Sequence, residues 1–146
     1  MTAPTLFTIG YEGRTVSDFV ERLRDAGVER VLDVRELPLS RRPGFSKSQL
    51  TVALASAGIE YEHVRTLGNP KPNRDRWRSG DATGGADAFR RHLHDRAGAA
   101  LGELADAVET ETICLLCVEA SHLDCHRSLV AGAIAERLPR VAVVHL

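Results

Sequence analysis

The stretch TICLLCVEASHLDCHRSLVAGAIAERL, residues 112–138, decides the fold. Its first part, Ile113 to Val118, is a short continuous apolar run bounded by polar residues, which is the pattern of a strand buried on both faces of a parallel sheet. Its last part repeats Leu129, Val130, Ala133 and Ile134 at helical spacing up to Leu138, with Pro139 beyond the end. Between strand and helix stand Cys117, Glu119, Cys125, His126 and Arg127. Asp124 is the expected N-cap, which places Cys125, His126 and Arg127 in the first turn. The unpaired N–H groups and positive dipole end of a first turn favour a thiolate and also a bound anion.

Upstream the same order of strand, turn and helix recurs. Leu6 to Gly10 is an apolar run ending in glycine, and Thr15 opens a helical pattern of Val16, Phe19, Val20 and Leu23 that Gly27 closes. Asp18, three after Thr15, makes an imperfect capping box. The turn GYEGRT (10–15) lacks G-x-G-x-x-G, so no dinucleotide fingerprint is read there. Val28 to Val34 is the second strand and delivers Asp33 and Arg35 to the carboxyl edge of the sheet. After the loop ELPLSRRPG (36–44), Ser46 and Gln49 are spaced as a capping box and Phe45 and Leu50 as a hydrophobic staple. Gly58 ends that helix, and Ile59 to His63 alternates as a third strand.

From Val64 to Gly85 the periodicity vanishes, so this reads as the longest irregular segment. It carries Arg65, Lys71, Arg74, Arg76 and Arg78 against Asp75 and Asp81, with Trp77 among them. It is either a solvated loop or an anion-collecting lid. A helical segment marked by Phe89, Leu93, Ala97, Leu101, Leu104 and Val108 follows, broken near Gly98, with His92 and His94 on its wet side. Val141 to Val144 supplies a fifth strand.

Strands alternating with helices imply one α/β domain over residues 1–146, an open, mostly parallel five-stranded sheet with helices on both faces, a Rossmann-like three-layer sandwich. Ligands bind such sheets beyond the carboxyl ends of the strands, at the point where strand order reverses. The notable polar residues follow strands one, two and four. The order 3-2-1-4-5 sets those ends side by side and is preferred to 2-1-3-4-5.

The 146 residues carry a net charge of −1, so a charge-driven partner, whether a small anion or a nucleic acid, must meet a local patch. No run approaches the ~20 apolar residues of a membrane span, and the first residues lack the pattern of an export signal. Three cysteines then fit reduced thiols, and a cytoplasmic location is expected. Oligomeric state leaves no mark on the sequence.

Four motifs in order, TIGYEG (8–13), DVRELPLSRRPGFS (33–46), GIEYEHVRTLGN (58–69) and LLCVEASHLDCHR (115–127), resemble the domain-of-unknown-function family 488 across nearly the whole chain. The resemblance implies an α/β domain and an enzyme, with motif positions at Gly10, Asp33, Arg35, Pro38, Ser40, Phe45, Leu67, Gly68, Cys117, Glu119, Cys125, His126 and Arg127. Tyr11, Glu12 and Asn69 stand where members of that family often have His, Ser and a second glycine. The run VLDVRE (31–36) also looks like a rhodanese strand, but no cysteine opens an anion-binding loop in the matching register.

The candidate reacting groups are Cys125 as nucleophile, Glu119 as base, and Cys117, His126 and Asp33. Arg35, Arg41 and Arg127, with Gly10, Tyr11 and Ser40, are the candidate substrate contacts. Cys114 and Cys117 are three apart on a strand and face opposite sides, so Cys114 belongs to the core. Cys117, Glu119, His122, Cys125 and His126 are donor types that suit zinc. However, C-x7-C matches no finger spacing, and Cys125 and His126, adjacent in one helical turn, are expected to diverge, so no metal ligand is assigned. Three chemistries remain open: a cysteine-dependent or metal-assisted enzyme on a phosphate-bearing or other anionic substrate, a non-catalytic nucleotide- or nucleic-acid-binding module using the same arginines, and a zinc-dependent hydrolase. No cofactor is named by the sequence.

Overall fold

The computed structural model describes residues 3–121 and 125–146. Its elements run β1 (Thr5–Gly10), α1 (Val16–Asp25), β2 (Arg30–Asp33), α2 (Lys47–Ser56), β3 (Glu60–His63), α3 (Lys71–Arg78), α4 (Ala82–Arg96), α5 (Gly98–Val108), β4 (Ile113–Cys117), α6 (Arg127–Arg137) and β5 (Ala142–His145). All strand pairs are parallel and the order is β3-β2-β4-β1-β5. The expected order 3-2-1-4-5 is therefore corrected: β4 separates β2 from β1. Every residue of β4 is buried, whereas β3 alternates exposed and half-buried positions, β5 is mostly exposed, and these two take the edges. The ends of β1, β2 and β4 still lie side by side, now with β4 in the middle.

The two faces of β4 sort its residues by the period of two. Cys114 and Leu116 join Ile9, Val31, Phe19, Leu23, Leu50 and Leu54 beneath α1 and α2. Ile113, Leu115 and Cys117 join Phe89, Leu93, Leu101, Val108, Val130 and Ile134 beneath α4, α5 and α6. Since the chain leaves β2 toward β3 at one edge and leaves β4 toward β5 at the other, strand order reverses between β2 and β4.

Thr15 caps α1, its Oγ1 accepting the Asp18 N–H at 3.1 Å. The capping box expected at α2 does not form. The Ser46 hydroxyl instead accepts the Ser40 N–H at 3.0 Å and donates to the Ser40 carbonyl, while Gln49 Oε1 accepts the Gly44 N–H. Both side chains thus tie down the loop before the helix. Phe45 and Leu50 are buried in one core cluster, as a staple requires.

The segment expected to be irregular, 64–85, is largely helical. A 3-10 turn spans Arg65–Leu67, α3 follows, and α4 has already begun at Ala82. No residue of α3 is fully buried, so the apolar periodicity that would have revealed it is absent. Its seat is backbone proximity: a Cβ on Gly85 of α4 would lie 3.2 Å from the Asn73 carbonyl and 3.3 Å from Trp77. Among the described residues no helix is long and apolar enough to cross a membrane.

Candidate functional site

The strand order brings Gly10, Asp33 and Cys117 to one edge. Gly10 is paired with Cys117, and the pairing continues past the strands through the N–H groups of Tyr11 and Glu12, which donate to the carbonyls of Cys117 and Val118. The loop leaving β4 then folds over β1 so closely that a Cβ on Gly10 would lie 1.6 Å from the Glu119 carbonyl oxygen. Only glycine fits there. From below, Arg127 fixes the same loop: its guanidinium donates to the carbonyls of Glu119 (2.6 Å) and Ala120 (3.3 Å) and to Thr8 Oγ1 (3.2 Å). Arg127 is 0% exposed, so it supports the loop from inside the core.

The helix expected to begin at Asp124 is entered later. His126 stands at the N-cap and Arg127 is the first helical residue, so Cys125 precedes the helix; Asp124 and His122 lie outside the described residues. This changes the geometry of the adjacent pair. Cys125 and His126 were expected to diverge as neighbours in a helical turn, but in this entry conformation both side chains turn to the same point. The Sγ atoms of Cys117 and Cys125 lie 3.6 and 3.8 Å from His126 Nδ1, and the three donor atoms all fall within 4.8 Å of one another. On the other side of the ring, Nε2 lies 2.6 Å from the Val34 carbonyl oxygen. Since that oxygen can only accept, Nε2 carries a proton, and in the neutral ring the Nδ1 lone pair then faces the sulfurs.

Cys125 is 2% exposed. Burial pushes its thiol well above the ordinary range, the neighbouring Cys117 adds to the rise, and His126 offsets part of it. The helix-end thiolate expected from sequence is thus reversed in direction, because Cys125 lies outside the first turn and Arg127 points away under the loop. For His126 burial is the largest influence and opposes protonation, yet contacts with Cys125 and Val34 outweigh it and the pKa is raised. Glu119 Oε2 lies 3.7 Å from Cys117 Sγ, consistent with side chains two apart on extended backbone.

Asp33 and Arg35 form a buried pair beside this cluster, 0% and 4% exposed. Arg35 Nε and Nη2 donate to the two carboxylate oxygens at 2.9 and 2.6 Å, the Arg35 backbone N–H donates to Oδ1, and the Tyr61 hydroxyl donates to Oδ2. Nη1 donates to the Phe45 carbonyl at 2.7 Å. Burial is the largest influence on Arg35 and opposes its charge, but Asp33 outweighs it and raises the pKa; burial and Asp33 together raise that of Tyr61. The guanidinium also lies 5.4 Å from the centroid of Tyr11, which stacks on Phe45 at 4.6 Å. Ser40 is engaged with Ser46, and Arg41 is exposed on the same loop. Neither lines the pocket above the cluster.

That pocket, about 320 Å³, is lined by Cys117, Cys125, His126 and Glu119, by Arg35, and by the apolar Leu37, Leu39 and Val118. Its volume lies at the lower end of small-molecule sites. The segment read as irregular also contributes to the lining: Asn69, Arg74, Trp77 and Arg78. Arg74 is committed to Glu36 at 2.8 Å and to the Asn69 carbonyl. Arg78 is exposed and in no ion pair among the described residues. Asn69 is 4% exposed, and its buried Oδ1 has no hydrogen-bond partner among the described residues. Sequence reasoning placed neither Asn69 nor Trp77 at the site; the only signal for Asn69 was its place at the end of the Leu67-Gly68-Asn69 motif.

Comparison with known proteins adds one finding. The family model described as "Domain of unknown function DUF488" matches residues 15–134, a span that holds Asp33, Asn69, α3 and the whole Cys117 to Arg127 motif. No curated protein and no solved structure matches the chain.

Proposed function

We propose that this chain, which belongs to the DUF488 family through a match over most of its length, is an enzyme acting on a small anionic substrate, phosphate-bearing or similarly charged, in the pocket at the carboxyl edge of the sheet. The observation that carries this reading is the convergence of two thiols and an imidazole, with a carboxylate beside them, at the base of a pocket. A pure binding module has no need to bury two thiols against a histidine under a cavity. An anionic substrate is favoured by Arg78, which lines the pocket and is in no ion pair among the described residues, with Arg74 also in the lining. The Asn69 Oδ1, unpaired among the described residues, supports a substrate that also carries a hydrogen-bond donor, because a buried acceptor left unpaired costs about 1–3 kcal/mol. Glu119 is the residue placed to move a proton.

In this reading Arg127 positions the site from inside the core, Arg35 lines the pocket with its charge paired to Asp33, and the anion contact belongs to α3. The test is conversion of a panel of phosphomonoesters, nucleotides and sugar phosphates, followed by phosphorus and proton NMR. Glu119→Gln is expected to lower kcat by about 100-fold or more with KM little changed, as for loss of a general acid or base. Arg78→Ala is expected to raise KM. Binding of these anions without conversion of any would favour the non-catalytic module, and a Glu119→Gln variant of full activity would remove Glu119 from the chemistry.

A further inference from the structure

We infer that Cys117, Cys125 and His126 form a three-ligand site for a divalent ion of the zinc class, with the fourth coordination position open to the pocket. The inference rests on the reading of this pocket as an enzyme site and names what the site would hold. Its first support is metric. A tetrahedral zinc with Zn–S of ~2.3 Å and Zn–N of ~2.05 Å sets each sulfur about 3.6 Å from the nitrogen. The two sulfurs lie 3.6 and 3.8 Å from Nδ1. All three donors also fall within 4.8 Å of one another, which leaves room for the sulfur pair to meet the ~3.8 Å edge of the same tetrahedron.

A second, independent support comes from the orientation of the ring. Ligating histidines commonly donate their other N–H to a carbonyl or carboxylate, which fixes the tautomer and aims the lone pair. His126 Nε2 does this with the Val34 carbonyl at 2.6 Å, and Val34 is held in place by the Asp33–Arg35 pair on one side and by its own N–H bond to Leu116 on the other. The donor set of two thiols and an imidazole selects a borderline-soft ion over calcium or magnesium.

Three protein ligands with a fourth place facing a cavity is the arrangement of a catalytic ion, since structural zinc sites are closed by four. Glu119 lines the same pocket, with Oε2 3.7 Å from Cys117 Sγ. A water in the fourth position would pass one proton to the Glu119 carboxylate, attack an electrophilic carbon or phosphorus as hydroxide, and see the proton delivered to the leaving group. Hydrolysis therefore balances with no other co-reactant.

The experiment strips the full chain by chelation under reducing conditions and titrates it with cobalt(II), read by absorption, and with zinc, read by mass spectrometry of the native protein. One ion per chain is expected, with sulfur-to-cobalt charge-transfer bands and the visible bands of a tetrahedral ion. Cys117→Ser and Cys125→Ser are each expected to lose at least about 100-fold in affinity, because even outer-shell partners are worth about 10- to 100-fold. Cys114→Ala, on the other face of the sheet, is expected to keep it. Binding without charge-transfer bands, or with unchanged affinity in Cys125→Ser, would overturn the site. If either serine variant fails to fold, the wild-type spectrum decides alone. The readout needs no substrate: a chain that binds cobalt through sulfur but converts no anion refutes the enzyme reading only, and one that turns over fully after chelation refutes the metal site only.

Discussion

Replacing Asp33 with asparagine tests how the site is held. Both carboxylate oxygens of Asp33 accept only from donors: Oδ1 from the Arg35 backbone N–H and Nε, Oδ2 from Arg35 Nη2 and the Tyr61 hydroxyl. Whichever way an asparagine amide is turned, its NH2 meets donors, and the Arg35 guanidinium stays buried with no opposing charge. Removing one partner of a buried ion pair costs about 3–5 kcal/mol, a large part of the ~5–15 kcal/mol that holds a domain folded. With a urea slope of roughly 2 kcal/mol/M, the unfolding midpoint should fall by about 2 M. Tyr61→Phe, which removes one hydrogen bond and no charge, should cost only about 0.5–1.5 kcal/mol. The assay is urea unfolding followed by circular dichroism, with the slopes compared between variants. A midpoint shift below about 0.5 M for Asp33→Asn, or one no larger than that of Tyr61→Phe, would refute the view that this pair anchors the end of β2.

Three further outcomes follow from the same contacts. Gly10→Ala should destabilise the chain by about 1–3 kcal/mol or more, because its Cβ overlaps the Glu119 carbonyl and the loop must lift; a neutral effect on unfolding would mean that the loop has another seat. Burial pushes the Cys114 thiol up, so the folded chain keeps a proton that the unfolded chain releases above pH ~8.5. The stability Cys114 contributes is therefore complete below that pH and falls by up to about 1.4 kcal/mol per pH unit above it, a slope that Cys114→Ala should remove from unfolding curves at pH 8, 9 and 10. Phe45→Ala should cost about 3–5 kcal/mol, since the ring stacks on Tyr11, meets Phe19 edge-on and carries the carbonyl that Arg35 uses; a loss under 1 kcal/mol in the same urea assay would contradict that role.

What sequence could and could not convey follows from where the information sits. The apolar run at Ile113, the Thr15 cap and the break near Gly98 are local signals, and each element appears where its period predicts it. Strand order is not local. An apolar run from Ile113 to Cys117 implies a neighbour on each edge of β4, and both 3-2-1-4-5 and the observed order satisfy that. Helix α3 was missed because Lys71–Arg78 buries no apolar face and rests on α4 where Gly85 allows close approach. For the site, the residue types were legible and their convergence was not. Whether Cys125 and His126 meet or diverge depends on one residue's placement before or inside α6, which is beneath the precision of any spacing rule. The arginines illustrate the same limit: sequence gives four charges near the motif, and only packing separates Arg127, held inside the fold, and Arg35, paired with Asp33 where it meets the pocket, from Arg78 in the pocket lining and Arg41 on the loop.

The most direct measurement is a crystal structure of the zinc-loaded chain with diffraction recorded on both sides of the zinc absorption edge. One anomalous peak is expected, bonded to Cys117 Sγ, Cys125 Sγ and His126 Nδ1 and facing Glu119 across the pocket. A peak elsewhere, or clear density with the two sulfurs turned away from His126, would contradict the account.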